Sequence, residues 1–258
     1  MFYDLNVEIA QKNQRQTLEV LKHYGYSVVA LNHTARGGIP SNLVSTVIHV
    51  FKKTLTPSQS DKASNLGLTS LSPTSYDLLA VKPTNEATLL KACTDLEVDI
   101  ISFDCSSRLG FWLKHSLFSA AIQRGLHFEI TYGAGVRDQA ARRHLFTNAQ
   151  ALIRATRGKH LIISSEAQKA LEVKGPYDVI NLGTLFGLNQ AVARSTLTSN
   201  CRAVIFHSDA RRTAYKSVIT VKSGQIDESD ELAVNGSGKR IASDAGGHKT
   251  AKKARRTR

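Results

Sequence analysis

The chain has 258 residues, 41% of them hydrophobic and 21% charged, which is the balance of a globular protein with one barrel-sized core or two smaller ones. Its formal charge of +13 and isoelectric point near 9.8 call for a polyanionic partner, either nucleic acid or an anionic membrane surface. Cys93, Cys105 and Cys201 are widely spaced with no C-x-x-C pair, which excludes a disulfide framework and a thiolate metal site and points to reduced, buried thiols in an intracellular protein.

Taken in chain order, the first strand is predicted over Phe2–Val7, and the acidic Asp4 and Glu8 that interrupt it argue against a signal peptide. Alternation puts Asp4 and Asn6 on one face, toward the interior or mouth of a barrel. Further strands are expected at Ser27–Asn32, Tyr76–Lys82, Val98–Asp104, His127–Tyr132, His160–Ser164 and Asp178–Leu182. Helices are expected near 9–23, 40–53, 85–95, 114–124, 138–156 and 190–199. This alternation favours an α/β fold with a parallel sheet, a TIM-like (β/α) barrel, with an open doubly wound sheet as the alternative. No apolar run approaches the length of a membrane span.

Two segments break the pattern. From Lys53 to Ser75 the chain is rich in Ser, Thr and Pro, with no Val/Ile run where a third barrel strand should fall. Either Leu66–Leu71 is a poor strand or the barrel is irregular or incomplete there. Beyond Lys222 the composition turns to Gly, Ser, Asp and Lys. We therefore expect a barrel domain over 1–222 and a disordered basic tail over 223–258. Lys239–Arg258 holds eight Lys/Arg and one acid, a net of +7, which leaves +6 on the preceding residues.

Catalytic motifs are few. None of the nine histidines falls in an H-x-H or H-E-x-x-H spacing. Asn6 is a poor transition-metal ligand, and a scattered site would have to draw on Asp4, His33 and Asp104. No G-x-S-x-G elbow is present, and Ser164-Ser165 lacks an identifiable base. Gly133-Ala-Gly135 sits at a strand-to-helix junction and is weak as a dinucleotide fingerprint. As a turn, it would bring Arg137 near a phosphate.

Basic residues form three groups: Lys114 with His115 and Arg124; Arg137 with Arg142 and Arg143; Arg211 with Arg212 and Lys216. Guanidinium groups take phosphates bidentately, so these residues are candidate RNA-positioning contacts, with the last group expected on the surface. In the helix at 138–156, Asp138 is placed as N-cap, Leu145, Ala149 and Leu152 form the apolar face, and the arginines face outward. Trp112 and Tyr215 are candidate stacking residues, with packing as the other reading. Lys252-Lys253-Ala-Arg255-Arg256 matches a nuclear localisation signal and serves equally well as an RNA-grasping tail.

The segments Asp4-Leu-Asn6, Gly25–His33, Asp95–Ile100, Ile122–Glu129 and above all 171–221 resemble the thirty-kilodalton TIM-barrel protein subunit of nuclear ribonuclease P and ribonuclease MRP. That segment opens with Leu-Glu-Val-Lys-Gly-Pro-Tyr-Asp and includes Ser208-Asp-Ala-Arg-Arg-Thr-Ala-Tyr-Lys216. The resemblance implies a noncatalytic subunit of the particle that removes the 5′ leader of precursor tRNA. A related particle for precursor ribosomal RNA would share it. It implies no cofactor of the chain's own, with Mg²⁺ held by the catalytic RNA. It implies partners that include that RNA, precursor tRNA through the particle and other protein subunits, small ferredoxin-like ones among them, with no membrane. The expected location is the nucleus, with its nucleolus. The competing readings are a barrel phosphoesterase using Asp4, His33 and Asp104, and a free-standing RNA-binding module.

Overall fold

A computed structural model describes residues 1–8, 14–35, 50–55, 77–215 and 218–219. Seven parallel strands form one sheet in chain order: β1 (Phe2–Glu8), β2 (Tyr26–Ala35), β3 (Val50–Leu55), β4 (Leu78–Val81), β5 (Ile100–Ser102), β6 (His127–Thr131) and β7 (Leu161–Ser164). The helices are α1 (Gln14–His23), α2 (Glu86–Thr94), α3 (His115–Gln123), α4 (Gly133–Arg137), α5 (Gln139–Thr156), α6 (Pro176–Leu185), α7 (Gln190–Ser195) and α8 (Ser199–Thr213). A two-residue hairpin, β8 (Ala214–Tyr215) with β9 (Val218–Ile219), follows.

The sheet closes on itself just past β7. The Glu166 N–H donates to the Asn6 carbonyl at 2.7 Å, the Glu8 N–H donates to the Ala167 carbonyl at 3.1 Å, and Val7 bridges Ala167 in parallel register. Closure satisfies backbone groups that an open edge would expose, so the fold is a TIM-like barrel rather than an open sheet.

Alternation along the strands sorts two layers. Leu79, Val81, Ile101, Phe128, Ile130, Leu161 and Ile163 face the helices in the largest core cluster. Leu78, Ala80, Ile100 and Ile162 join Tyr3, Leu5 and Ala30 inside the barrel, where Cys201 and Val204 of α8 complete the packing. The α8 helix closes the N-terminal end of the barrel: Asn200 Nδ2 donates to the carbonyl of Leu161, the first residue of β7, at 2.7 Å. All three cysteines are buried, and burial pushes the Cys93 and Cys105 thiols up to about 12.

Several expectations are corrected. Residues 178–182 lie in α6, not in a strand. Pro176 occupies the first helical turn, where its missing N–H costs nothing, and Val179, Ile180 and Gly183 form the buried face. The third strand is Val50–Leu55, which overlaps the helix expected over 40–53 and precedes the Leu66–Leu71 segment. It pairs residue for residue with β2 from Ala30↔Val50 to Ala35↔Leu55, so the sheet is regular at that point. The irregular element is β1, whose register slips between Asp4 and Val7. Residues 40–49 and 66–71, Lys216 and the tail from 220 lie outside the described residues.

The cap at Asp138 matches expectation, accepting the Ala141 N–H at 2.8 Å. Asn189 likewise accepts the Val192 N–H at 2.9 Å, but the helix it opens ends at Ser195.

Candidate functional site

In β-barrels of this kind the C-terminal ends of the strands carry function and the N-terminal ends carry stability. At the C-terminal end the slip in β1 breaks the alternation that would pair Asp4 with Asn6. Asn6 turns inward: Asn32 Nδ2 donates to its Oδ1 at 2.8 Å, and its own Nδ2 donates to Glu129 Oε2 at 3.2 Å. Ser164 Oγ donates to Glu129 Oε1 at 2.7 Å. The result is a hydrogen-bonded chain, Asn32–Asn6–Glu129–Ser164, drawn from β2, β1, β6 and β7.

Asp4 instead binds backbone, with Oδ1 accepting the N–H of Ser165 at 3.1 Å and of Asn6 at 3.2 Å. Its Oδ2 is buried without a partner among the described residues. Burial pushes its carboxyl up to about 6 despite those two bonds.

Just beyond β4, Lys82 Nζ meets Glu166 Oε1 at 3.1 Å. Burial disfavours its charge, yet Glu166 and Asp104 outweigh burial and hold the ammonium above its ordinary range. The Asp104 carboxylate accepts the Ser106 N–H at 2.9 Å and the Ser106 hydroxyl at 2.5 Å. Burial works against its charge, but these bonds hold it below the usual range.

Asp4 and Asp104 are thus each engaged by partners of their own. Among the described residues no group of three or more His, Cys, Asp or Glu side chains is placed to hold a metal ion. Gly133 and Gly135 start the short α4 rather than a phosphate-binding turn. Gly133 is there because an added Cβ would lie 2.4 Å from the Ser165 carbonyl oxygen.

The basic residues separate by what they touch. Arg124 caps α2, donating to the carbonyls of Cys93 at 2.8 Å and Leu96 at 2.6 Å. Arg137 pairs with Glu172 at 2.8 Å. Arg142 is exposed and bonds the Gly135 carbonyl through Nε at 2.8 Å. Arg143 is exposed on α5, and Lys114 is exposed while pairing with Glu86 at 2.8 Å.

Arg211 is the clearest correction to the sequence expectation. Its side chain is only 12% exposed and its Nη2 lies 2.8 Å from Asp99 Oδ2, with Nε 3.1 Å from Oδ1; Asp99 itself is 0% exposed. Arg212 binds Asp77 at 2.7 Å. Asp77 and Asp99 immediately precede β4 and β5, so these arginines fasten α8 to the N-terminal end of the barrel, the stability face. His207 Nδ1, 2.9 Å from Asp99 Oδ1, completes the fastening.

Sequence reasoning missed the cross-barrel partners Asn32, Glu129, Asp99 and His207. Their defining contacts span 26 to 123 residues, and no local spacing signals them.

Fold and site together define a closed α/β barrel. Asn32, Asn6, Glu129 and Ser164 bind one another inside it, and α8 is clamped beneath it by arginine–carboxylate pairs. A family model described as RNase P subunit p30 matches residues 1–213. The chain belongs to that family. It is 37% identical over 235 residues to "Probable ribonuclease P protein subunit 3" of Schizosaccharomyces pombe, covering 85% of this chain and 98% of that one. It is 36% identical over 252 residues to "Ribonuclease P protein subunit p30" of Mus musculus, covering 89% and 94%. Among solved structures, a chain of the cryo-EM structure of archaeal ribonuclease P with mature tRNA superposes with a TM-score of 0.66. That match has 13% identity over 86% of this chain and 99% of that one, and it supports the fold.

Proposed function

We propose that the chain works as a noncatalytic protein subunit of ribonuclease P, the ribonucleoprotein that removes the 5′ leader of precursor tRNA. The observation that carries this reading is family membership running from residue 1 to residue 213, the whole of the described barrel up to the end of α8. In this reading the chemistry and its Mg²⁺ belong to the RNA, and the protein stabilises the RNA fold and holds neighbouring subunits. Small ferredoxin-like proteins are the neighbours we expect. Sharing with the MRP particle and residence in the nucleus, including the nucleolus, belong to the same proposal, with Lys252, Lys253, Arg255 and Arg256 as the import signal.

Arg142, Arg143 and Lys114 are the RNA contacts proposed from the basic groups, since each is exposed. Arg124, Arg137, Arg211 and Arg212 are assigned to holding the barrel, and Lys216 remains a proposed assembly contact. The phosphoesterase reading is not retained, because among the described residues Asp4, His33 and Asp104 form no group placed to hold a metal ion.

The test is depletion of the protein in its own cells, followed by hybridisation to precursor tRNA. Accumulation of 5′-extended precursors supports the role. Unchanged precursor levels after full depletion would oppose it.

A further inference from the structure

Between β5 and α3 the chain runs through Arg108-Leu-Gly-Phe-Trp-Leu113, and here side chains alternate. Leu109, Phe111 and Leu113 tuck against the main core, while Arg108, Gly110 and Trp112 face solvent. Trp112 is 85% exposed, an unusual position for an indole, and yet its neighbours on either side are anchored.

The segment is fastened to α5 at both ends. Asn148 Nδ2 donates to the Ser107 carbonyl at 2.7 Å, and His115 Nδ1 lies 2.7 Å from the Ala155 carbonyl. A carbonyl only accepts, so Nδ1 carries the proton and a neutral His115 keeps Nε2 as an acceptor. Small residues of α5, Ala151 and Ala155, leave space beneath the rim. The result is a groove of about 670 Å³ lined by Arg108, Trp112, His115, Ala151 and Arg154 among others, with no carboxylate in its lining. That volume falls within the roughly 300–1,000 Å³ typical of small-ligand sites.

We infer that this groove binds an unpaired nucleotide of an RNA strand, with the base stacked on Trp112 and the adjoining phosphates on Arg108 and Arg154. Two guanidinium-bearing residues without an acid select an anionic occupant, and an exposed indole selects a flat apolar face. A single-stranded nucleotide offers both in one unit. An acidic peptide offers charge without the ring, and a duplex keeps its base faces stacked within the helix. The inference rests on the ribonucleoprotein reading above and gives it a place on the surface.

Trp112 is the single tryptophan of the chain, so its fluorescence reports on this groove alone. The full-length protein is titrated at low salt with a single-stranded RNA of about ten nucleotides, within the site size of single-strand binders. The same sequence as duplex and a polyglutamate peptide are run in parallel. The single strand is expected to quench the indole, and the other two are not.

Binding of the labelled strand by anisotropy should weaken roughly five- to a hundredfold in Trp112→Ala, the loss of one stacked base. Trp112→Phe should retain most of the affinity, and both variants should melt as the wild type does. Unchanged emission on RNA binding, or equal affinity in Trp112→Ala, would overturn the groove while leaving the assembly reading intact. Quenching by polyglutamate alone would make it a protein-docking site, and no RNA binding at low salt would also overturn it. The assembly reading is tested separately by the precursor-tRNA phenotype.

Discussion

Replacing Arg211 with methionine tests whether α8 is clamped by charge. The methionine keeps most of the apolar stem but removes two hydrogen bonds, at 3.1 and 2.8 Å, to a carboxylate that is wholly buried. Asp99 would keep the Leu79 N–H at 2.9 Å and His207 at 2.9 Å, so its charge would be only partly compensated. Removing one partner of a buried pair costs about 3–5 kcal/mol. The two remaining donors place Arg211→Met at the lower end, still a large share of the roughly 5–15 kcal/mol that holds a domain folded.

The pH dependence has a definite sign. Burial opposes the Asp99 charge, but His207 and Arg211 outweigh it and hold the carboxyl below the ordinary range. Such a group stabilises the fold above its unfolded pKa, and the stability is lost as pH falls through the folded value. In Arg211→Met the folded value rises toward the unfolded one, so Asp99 contributes less to the acid loss and the stability gap between variant and wild type should narrow as pH falls from 7 into the acid range. Urea denaturation followed by circular dichroism, at pH 7 and at acid pH, measures both effects. Asp99→Asn added to Arg211→Met should recover part of the loss by removing the unpaired charge. A loss below about 1 kcal/mol at pH 7, with RNA assembly abolished, would refute the clamp and return Arg211 to the surface role that its position in the sequence suggested.

Asp4→Asn tests the carboxyl at the barrel seam. Because the folded group titrates near 6 and the ordinary value is 3.8, the unfolded chain releases its proton first, and the contribution of Asp4 to stability falls as pH rises between these values. The stability of the variant relative to wild type should therefore improve by about 3 kcal/mol from pH 3 to pH 7, and a constant difference would rule out this titration. Gly133→Ala should lower the thermal midpoint, since its Cβ would meet the Ser165 carbonyl at 2.4 Å; an unchanged midpoint would mean that the segment after β7 yields freely. Arg143→Glu should weaken RNA binding by the full chain and flatten its salt dependence while stability moves by less than about 0.5 kcal/mol. Binding equal to wild type would remove Arg143 from the RNA surface.

The strands at Phe2–Glu8, Tyr26–Ala35, His127–Thr131 and Leu161–Ser164 were legible because short β-branched or aromatic runs stood between polar helical stretches. Asp138 at the head of α5 was legible for a local reason, a side chain capping an amide three residues on. The segment 178–182 misleads because a four- to five-residue apolar run has no period of its own, and a buried helix and a buried strand read alike. Pro176 and the close approach of Gly183 to Ala193 mark it as a helix, but only the second element of the packing explains Gly183. The third strand was hidden by Lys52 and Lys53 in its middle.

The site was harder to read than the fold. Arg211 lies in a run of charge that reads as solvated, and nothing near it announces a buried carboxylate 112 residues earlier. Asn6 was read as a poor metal ligand from its chemistry alone, whereas its bonds to Glu129 and Asn32 required the closed barrel.

The most direct test of the central claim is to purify the tagged full-length protein from cells and assay the eluate for 5′ cleavage of precursor tRNA, before and after the copurified RNA is digested. The account predicts cleavage that is lost with the RNA, since the chain supports a catalytic RNA and does not cleave by itself. Cleavage that survives complete RNA digestion would place the chemistry in protein and contradict it.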